Sequence, residues 1–227
     1  MRPAVVLLSG GLDSATCLAW ARREGFAAHA LTVDYGQRHA IEVTRAAEVA
    51  RRLGAASHRI VGIDLTFLAG SALTDRTVGV PKSRGTTDIG SGIPTTYVPA
   101  RNTVLLALAL AWSESLGGRD LVIGVNAVDY SGYPDCRPEF LRAFAAVAGC
   151  ATKAGAEGGA WRIHAPLLQL SKAEIVRRAV AWDVPYTLTV SCYDPAVSGE
   201  SCGACDACLL RARGFLEAGV QDEAPGR

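Results

Sequence analysis

Six residues near the start of the chain, Ser9-Gly10-Gly11-Leu12-Asp13-Ser14, bring together what an anion site needs. Successive glycines open backbone conformations closed to other residues and let the main chain approach a ligand closely. Amides at the start of a following helix can then converge on an anion, with Ser9 and Ser14 adding hydroxyls and Asp13 a carboxylate for the Mg2+ that accompanies a nucleotide. A glycine turn with Asp or Ser capping a helix is the plainer account of the same residues. A Walker-type loop would need Gly-Lys-Ser/Thr, and no lysine is nearby, which disfavours kinase or GTPase chemistry. The second cluster is Cys192, Cys202, Cys205 and Cys208, spaced Cys-x9-Cys-x2-Cys-x2-Cys. Four thiolates close a tetrahedral Zn2+ shell with no open position, so the expected site is structural, and the ending of a ferredoxin cluster motif is missing.

Other polar groups gather in short segments. Gln37, Arg38 and His39 follow a strand, where α/β sheets place ligands, and Arg38 could pair with a phosphate or carboxylate as a fork. Arg101 and Asn102 precede an apolar helix, and Asn126, Asp129, Tyr130, Asp135 and Arg137 crowd one loop. That density suits a planar heterocycle, with a carboxylate such as Asp129 or Asp135 on its N–H groups and Tyr130 or Tyr133 against its face. Lys172 and Glu174 open a helix that Ser171 can cap, Glu174 reaching back to it. His29, His39, His58 and His164 show no metal-ligand pairing, and Cys136 is expected to be a buried, inert thiol.

Positioning these groups requires an alternating chain. Residues 4–8 form a continuous apolar run suited to a strand buried on both faces, followed by a turn and a helix over 15–24. Strands are expected at 29–33, 58–63, 120–125 and 161–164, and helices at 43–53, 103–116, 138–150 and 171–182. The helix over 103–116 is apolar on nearly every face and is expected to be central. Residues 64–101, rich in Gly, Thr, Ser and Pro, read as a lid or binding loop. The alternation predicts a doubly wound α/β fold, a five-stranded mostly parallel sheet over 1–185 with a small zinc module over 186–227.

Composition narrows the function classes. With 49% apolar residues and 24 glycines and 10 prolines in 227, the chain is globular. Its 23 basic residues against 22 acidic leave a net charge of +1, so no bulk field marks a partner of nucleic acid or membranes. The longest apolar run, residues 104–112, is far short of the roughly 20 residues that span a bilayer. Seven cysteines, an odd number, and the absence of a signal peptide point to a reducing, cytoplasmic setting.

The glycine segment resembles the pyrophosphate loop of ATP-pyrophosphatases, enzymes that adenylate a substrate. The closer resemblance is to the 7-cyano-7-deazaguanine synthase family, through Asp34-Tyr35-Gly36-Gln37-Arg38-His39, Tyr97-Val98-Pro99-Ala100-Arg101-Asn102, the segment 124–137 and Ser191-Cys192-Tyr193. Ala100 departs from that pattern, which has Gly there. The resemblance implies an adenine nucleotide alpha hydrolase-like fold and nucleotide contacts from Leu8, Ser9, Gly10, Gly11, Leu12, Asp13, Ser14, Ala15, Thr16, Cys17 and Leu18. It implies catalytic roles for Asp13, Ser14, Arg101 and Lys172, the lysine neutralising phosphate charge. Substrate contacts would come from Gln37, Arg38, His39, Tyr97, Arg101, Asn102, Asn126, Asp129, Tyr130, Asp135 and Arg137. The implied reaction joins 7-carboxy-7-deazaguanine and free ammonia, there being no room for a glutaminase domain, at the expense of ATP with Mg2+. One structural Zn2+ per chain and a homodimer are implied as well.

Overall fold

The computed structural model describes residues 1–38, 41–85, 89, 92–126, 132–196 and 198–224. Its strands are β1 (Pro3–Leu7), β2 (Ala27–Asp34), β3 (Ser57–Gly62), β4 (Asp120–Val122) and β5 (Arg162–His164). Its helices are α1 (Leu12–Arg23), α2 (Ile41–Arg52), α3 (Arg101–Ser115), α4 (Pro138–Ala151), the single turn α5 (Lys153–Ala156), α6 (Lys172–Ala181) and α7 (Asp206–Ala218). The five strands pair in the order β3-β2-β1-β4-β5, and every pairing is parallel. This is the doubly wound α/β fold that the alternation predicted.

The unbroken apolar run of β1 is explained by burial on both faces. Ala4, Val6 and Leu8 enter one core with side chains of α1, α2 and α6 and with Phe215 of α7. Val5 and Leu7 enter the other, with side chains of α3 and α4 and with Leu65, Leu73 and Val98 from the long connection. Each buried valine or leucine there contributes about 1.5–3 kcal/mol relative to exposure, so two-sided burial fixes β1 as the central strand. Chain order leaves β1 toward β2 and β3 on one side and reaches β4 and β5 on the other. A crevice therefore opens at the carboxyl ends of β1 and β4, the position where such sheets bind ligands.

Two expectations change. The apolar helix α3 is not central: Leu106, Ala109 and Leu110 are buried, whereas Thr103, Ala107 and Ala111 are exposed. Alanine is small enough to face water at little cost, which is why an all-apolar pattern overstated its burial. Helix α1 begins at Leu12, so the second half of the glycine segment is its first turn.

The long connection 64–100 has no regular helix or strand among its described residues, yet it is tied down. Leu73 accepts a hydrogen bond from the Arg38 amide at 3.0 Å, and the Ser83 amide donates to Ala204 at 2.8 Å. Lys82 pairs with Asp194 at 2.8 Å, and Arg84 forks onto both oxygens of Asp206. Among the described residues no helix is long and apolar enough to cross a membrane.

Candidate active site

A single cavity of about 280 Å³ occupies the crevice and has two chemically different ends. At one end lie Ser9, Gly11, Asp13 and Lys172; at the other lie Tyr35, Arg101, Tyr133 and Tyr193. A Cβ on Gly124 would lie 3.2 Å from the Asp13 carbonyl carbon and the Ser14 nitrogen, so the close approach of β4 to the first turn of α1 depends on glycine there.

The glycine loop is held by its own hydroxyls. The Ser14 side chain donates to the Gly11 carbonyl at 3.0 Å and accepts from the Ser9 amide at 3.1 Å. Gly10 has φ +91, a left-handed conformation costly for other residues, and a Cβ there would collide with the Glu42 carbonyl oxygen of α2. Gly11 stands at the N-cap of α1, and among the described residues no side chain caps that helix. The first-turn amides therefore face the cavity as donors for an anion, in the field of the positive helix end. Lys172, the first residue of α6, donates to both carboxylate oxygens of Asp13, at 2.8 and 2.7 Å. Its stem lies against Gly214 of α7, where any Cβ would strike it.

The other end is aromatic and carries one cation. The Arg101 guanidinium lies 5.8 Å from the Tyr35 ring centroid and donates to its hydroxyl at 3.3 Å. The Tyr133 hydroxyl meets Thr96 at 2.7 Å and the side chain of Tyr193. Burial raises the pKa of both Tyr35 and Tyr133, so both remain neutral hydroxyls. Gln37 accepts from the Tyr35 amide at 2.8 Å, which leaves its NH2 group to donate. Cys136 faces the same space, but burial, reinforced by Asp135, pushes its thiol up to about 12.

The four cysteines converge as their spacing predicted. The sulfurs of Cys192, Cys202, Cys205 and Cys208 all lie within 4.8 Å of one another. Backbone amides donate to three of them: Asp194 and Cys202 to Cys192, Cys205 to Cys202, and Tyr193 to Cys205, at 3.2–3.5 Å. Donors around sulfur favour thiolates, so this set fits a bound metal.

A family model described as Queuosine biosynthesis protein QueC matches residues 3–219. The chain belongs to this family. It is 65% identical over 219 residues to 7-cyano-7-deazaguanine synthase of Anaeromyxobacter sp. (strain Fw109-5), covering 96% of this chain and 94% of that protein. Against the protein of the same name from Thiobacillus denitrificans it is 61% identical over 223 residues, covering 98% and 97%. Among solved structures, NMN synthetase from Francisella tularensis superposes with a TM-score of 0.50 at 19% identity, covering 97% of this chain and 78% of that one. A 4-thiouridine synthetase in complex with RNA, with bound ATP, superposes with a TM-score of 0.54 at 19% identity, covering 96% and 50%. Both likenesses are of fold.

Within this QueC-family fold the expected residues divide. Leu8, Ser9, Gly11, Leu12, Asp13, Ser14, Gln37, Arg101, Asn102, Asn126 and Lys172 line the cavity. Gly10 does not: its close contact is with α2, because its left-handed turn aims it backwards. Ala15, Thr16, Cys17 and Leu18 are fully buried in α1, and none of them lines the cavity. The Arg38 guanidinium donates to the carbonyls of Asp75 and Val78 and lies 3.9 Å from Asp194, so it anchors the long connection instead of facing the cavity. Asp135 is buried and accepts from the Asn102 amide at 2.9 Å, capping α3 from a distance. The Tyr97 hydroxyl accepts from the Ala100 amide, and Arg137 is exposed ahead of α4; neither lines the cavity. His39, Asp129 and Tyr130 lie outside the described residues. Sequence reasoning gave no role to Tyr35, Ser191, Tyr193 or Arg211, which do line it. The first three stand inside segments that carried the family resemblance.

Proposed function

We propose that this chain is an ATP-dependent ligase converting 7-carboxy-7-deazaguanine and ammonia to 7-cyano-7-deazaguanine, in the supply of queuosine. The observation that carries this reading is the single cavity joining an uncapped helix start and Lys172 to an Arg101-bearing aromatic wall. The names of relatives 65% and 61% identical over almost their whole length support it.

A carboxylate resists ammonia because its oxygen leaves badly. In the proposed first step a substrate carboxylate oxygen attacks the α-phosphorus of ATP, forming an acyl adenylate and releasing pyrophosphate. Ammonia adds to the activated carbonyl, loses a proton and expels AMP, giving the primary amide. The amide oxygen then attacks a second ATP. Pyrophosphate leaves again, and loss of AMP with the two N–H protons gives the nitrile.

Both adenylations ask for charge stabilisation on the departing pyrophosphate. The α1 amides, the Ser9 hydroxyl and Lys172 face that position, and Lys172 moves from Asp13 to phosphate oxygens as they accumulate charge. Freed Asp13 has two oxygens for Mg2+, which supplies further neutralisation when bound. Ser14 works indirectly, since its hydroxyl braces the loop. Arg101 orients the substrate carboxylate, the tyrosines cover the heterocycle, and Gln37 and Asn126 read its edge. The buried Cys17 and Cys136 thiols, both with raised pKa, carry no sulfur chemistry.

We also infer a structural Zn2+ on Cys192, Cys202, Cys205 and Cys208, which organises residues 186–227 as a module, and a cytoplasmic homodimer acting on small molecules rather than nucleic acid. The deciding experiment supplies ATP, Mg2+, ammonia and the carboxydeazaguanine to the pure protein. Mass spectrometry should find the nitrile, with AMP and pyrophosphate. No AMP with any carboxylate or amide substrate would exclude a ligase.

A further inference from the structure

Ser191 lines the cavity, close to Gly11 of the glycine loop. A Cβ built on Gly11 would fall 3.4 Å from the Val190 carbonyl oxygen, 3.5 Å from the Ser9 hydroxyl and 3.9 Å from the Ser191 hydroxyl, so two hydroxyls and that carbonyl flank the notch that glycine leaves. The next residue back, Val190, donates its amide to the Gly10 carbonyl at 3.1 Å. That bond holds the segment 189–191 against the loop.

We infer that Ser191 is a further phosphate-binding residue of this site and that Arg211 is its positioning residue, a reading that rests on the pyrophosphate loop proposed above. The argument begins with hydrogen-bond capacity. A serine hydroxyl has one donor and two acceptor positions. Arg211 Nη1, shared with the nearer Thr189 oxygens, makes a long contact to the Ser191 oxygen at 3.5 Å that takes one of its two acceptor positions, and among the described residues no acceptor takes its proton. A hydroxyl on a cavity wall with donation left to it suits an anion.

Arg211 itself is only 2% exposed and is fully committed. Its Nε and Nη2 fork onto Asp222 at 2.7 and 2.9 Å. Nη2 also reaches the Tyr186 carbonyl at 3.1 Å, and Nη1 the Thr189 carbonyl at 3.2 Å and hydroxyl at 2.9 Å. With Asp222 neutralising it and its N–H groups spent, Arg211 aims the segment and does not bind anions.

The test is calorimetric titration of pyrophosphate with Mg2+ into the full chain, needing no turnover. Ser191→Ala should weaken pyrophosphate about tenfold, the loss of one hydrogen bond to a charged group, with the unfolding midpoint unchanged. Arg211→Lys, whose single ammonium cannot span the same acceptors, should weaken it similarly, and the double variant should lose no more than either single one. Wild-type affinity in Ser191→Ala overturns the inference. Additive losses overturn the positioning role of Arg211. Should Arg211→Lys not fold, Asp222→Asn loosens the same guanidinium and takes its place. A wild-type chain that binds pyrophosphate but makes no nitrile sinks the ligase reading and leaves this inference standing; one that binds no pyrophosphate sinks this inference.

Discussion

Helices α1 and α6 begin within reach of one another, since Lys172 at the start of one bonds Asp13 in the first turn of the other, yet the two starts are finished in opposite ways. Helix α6 is closed by a complete capping box: Ser171 accepts from the Glu174 amide, and Glu174 accepts from the Ser171 amide. Helix α1, with Gly11 at its N-cap, has no side-chain cap among the described residues. An unfinished helix start costs stability unless something else satisfies its donors. The contrast therefore separates scaffold from site: the closed start holds a lysine still, and the open one keeps its amides for a ligand. Helix α3 is a third case, capped by Asp135 from 33 residues later.

The strongest way to test this contrast is to remove the lysine that the closed start presents. Lys172→Ala should lower turnover about 10²–10³-fold in the nitrile assay while circular dichroism stays native, as expected for lost stabilisation of developing charge; turnover within threefold of wild type would contradict it. Cys205→Ser comes next, because Cys205 precedes α7, whose Ala207, Leu210 and Arg211 line the cavity. Bound metal, near one zinc per chain by atomic absorption in the wild type, should be lost together with much of the thermal stability; a stable, metal-free variant would refute it. Asp135→Ala leaves the buried Asn102 amide unpaired and should cost about 1–3 kcal/mol in urea denaturation. Ser171→Ala should cost about 1 kcal/mol and leave turnover within twofold, which sharpens the distinction between a structural and a functional helix start. The smallest effect is a gain. Ala100 ahead of α3 has φ +52, so Ala100→Gly should stabilise by about 1 kcal/mol, read as a rise of roughly 2–4 °C in Tm.

The glycine loop was legible because it is contiguous: one strand, one turn and one helix start carry it, and each leaves a local signature. The cysteines were legible because metal ligation constrains spacing. Gly10 was recognised as special for a partly wrong reason, since close approach to α2 leaves the same glycine signature as close approach to a ligand. The aromatic end was largely illegible. Its wall is drawn from residues 35, 101, 133 and 193, which come together only through the sheet order. Asp135 and Arg38 read as substrate contacts because buried polar residues in loops look alike in sequence, whether they bind ligands or bond the backbone. Ala100 was singled out as a departure from the glycine expected there, and the positive φ gives that departure its physical meaning.

The Asp13–Lys172 contact joins positions 159 residues apart. Closing so long a loop is entropically expensive, and nothing local rewards it beforehand. During synthesis the first helix emerges long before its counter-ion exists, so a ribosome-bound fragment stopped short of residue 172 carries an acidic, unmatched turn where the finished enzyme has a poised ion pair. Competence therefore waits until residue 172 is made and packed, and catalytic output should track completion of folding more faithfully than helix content does.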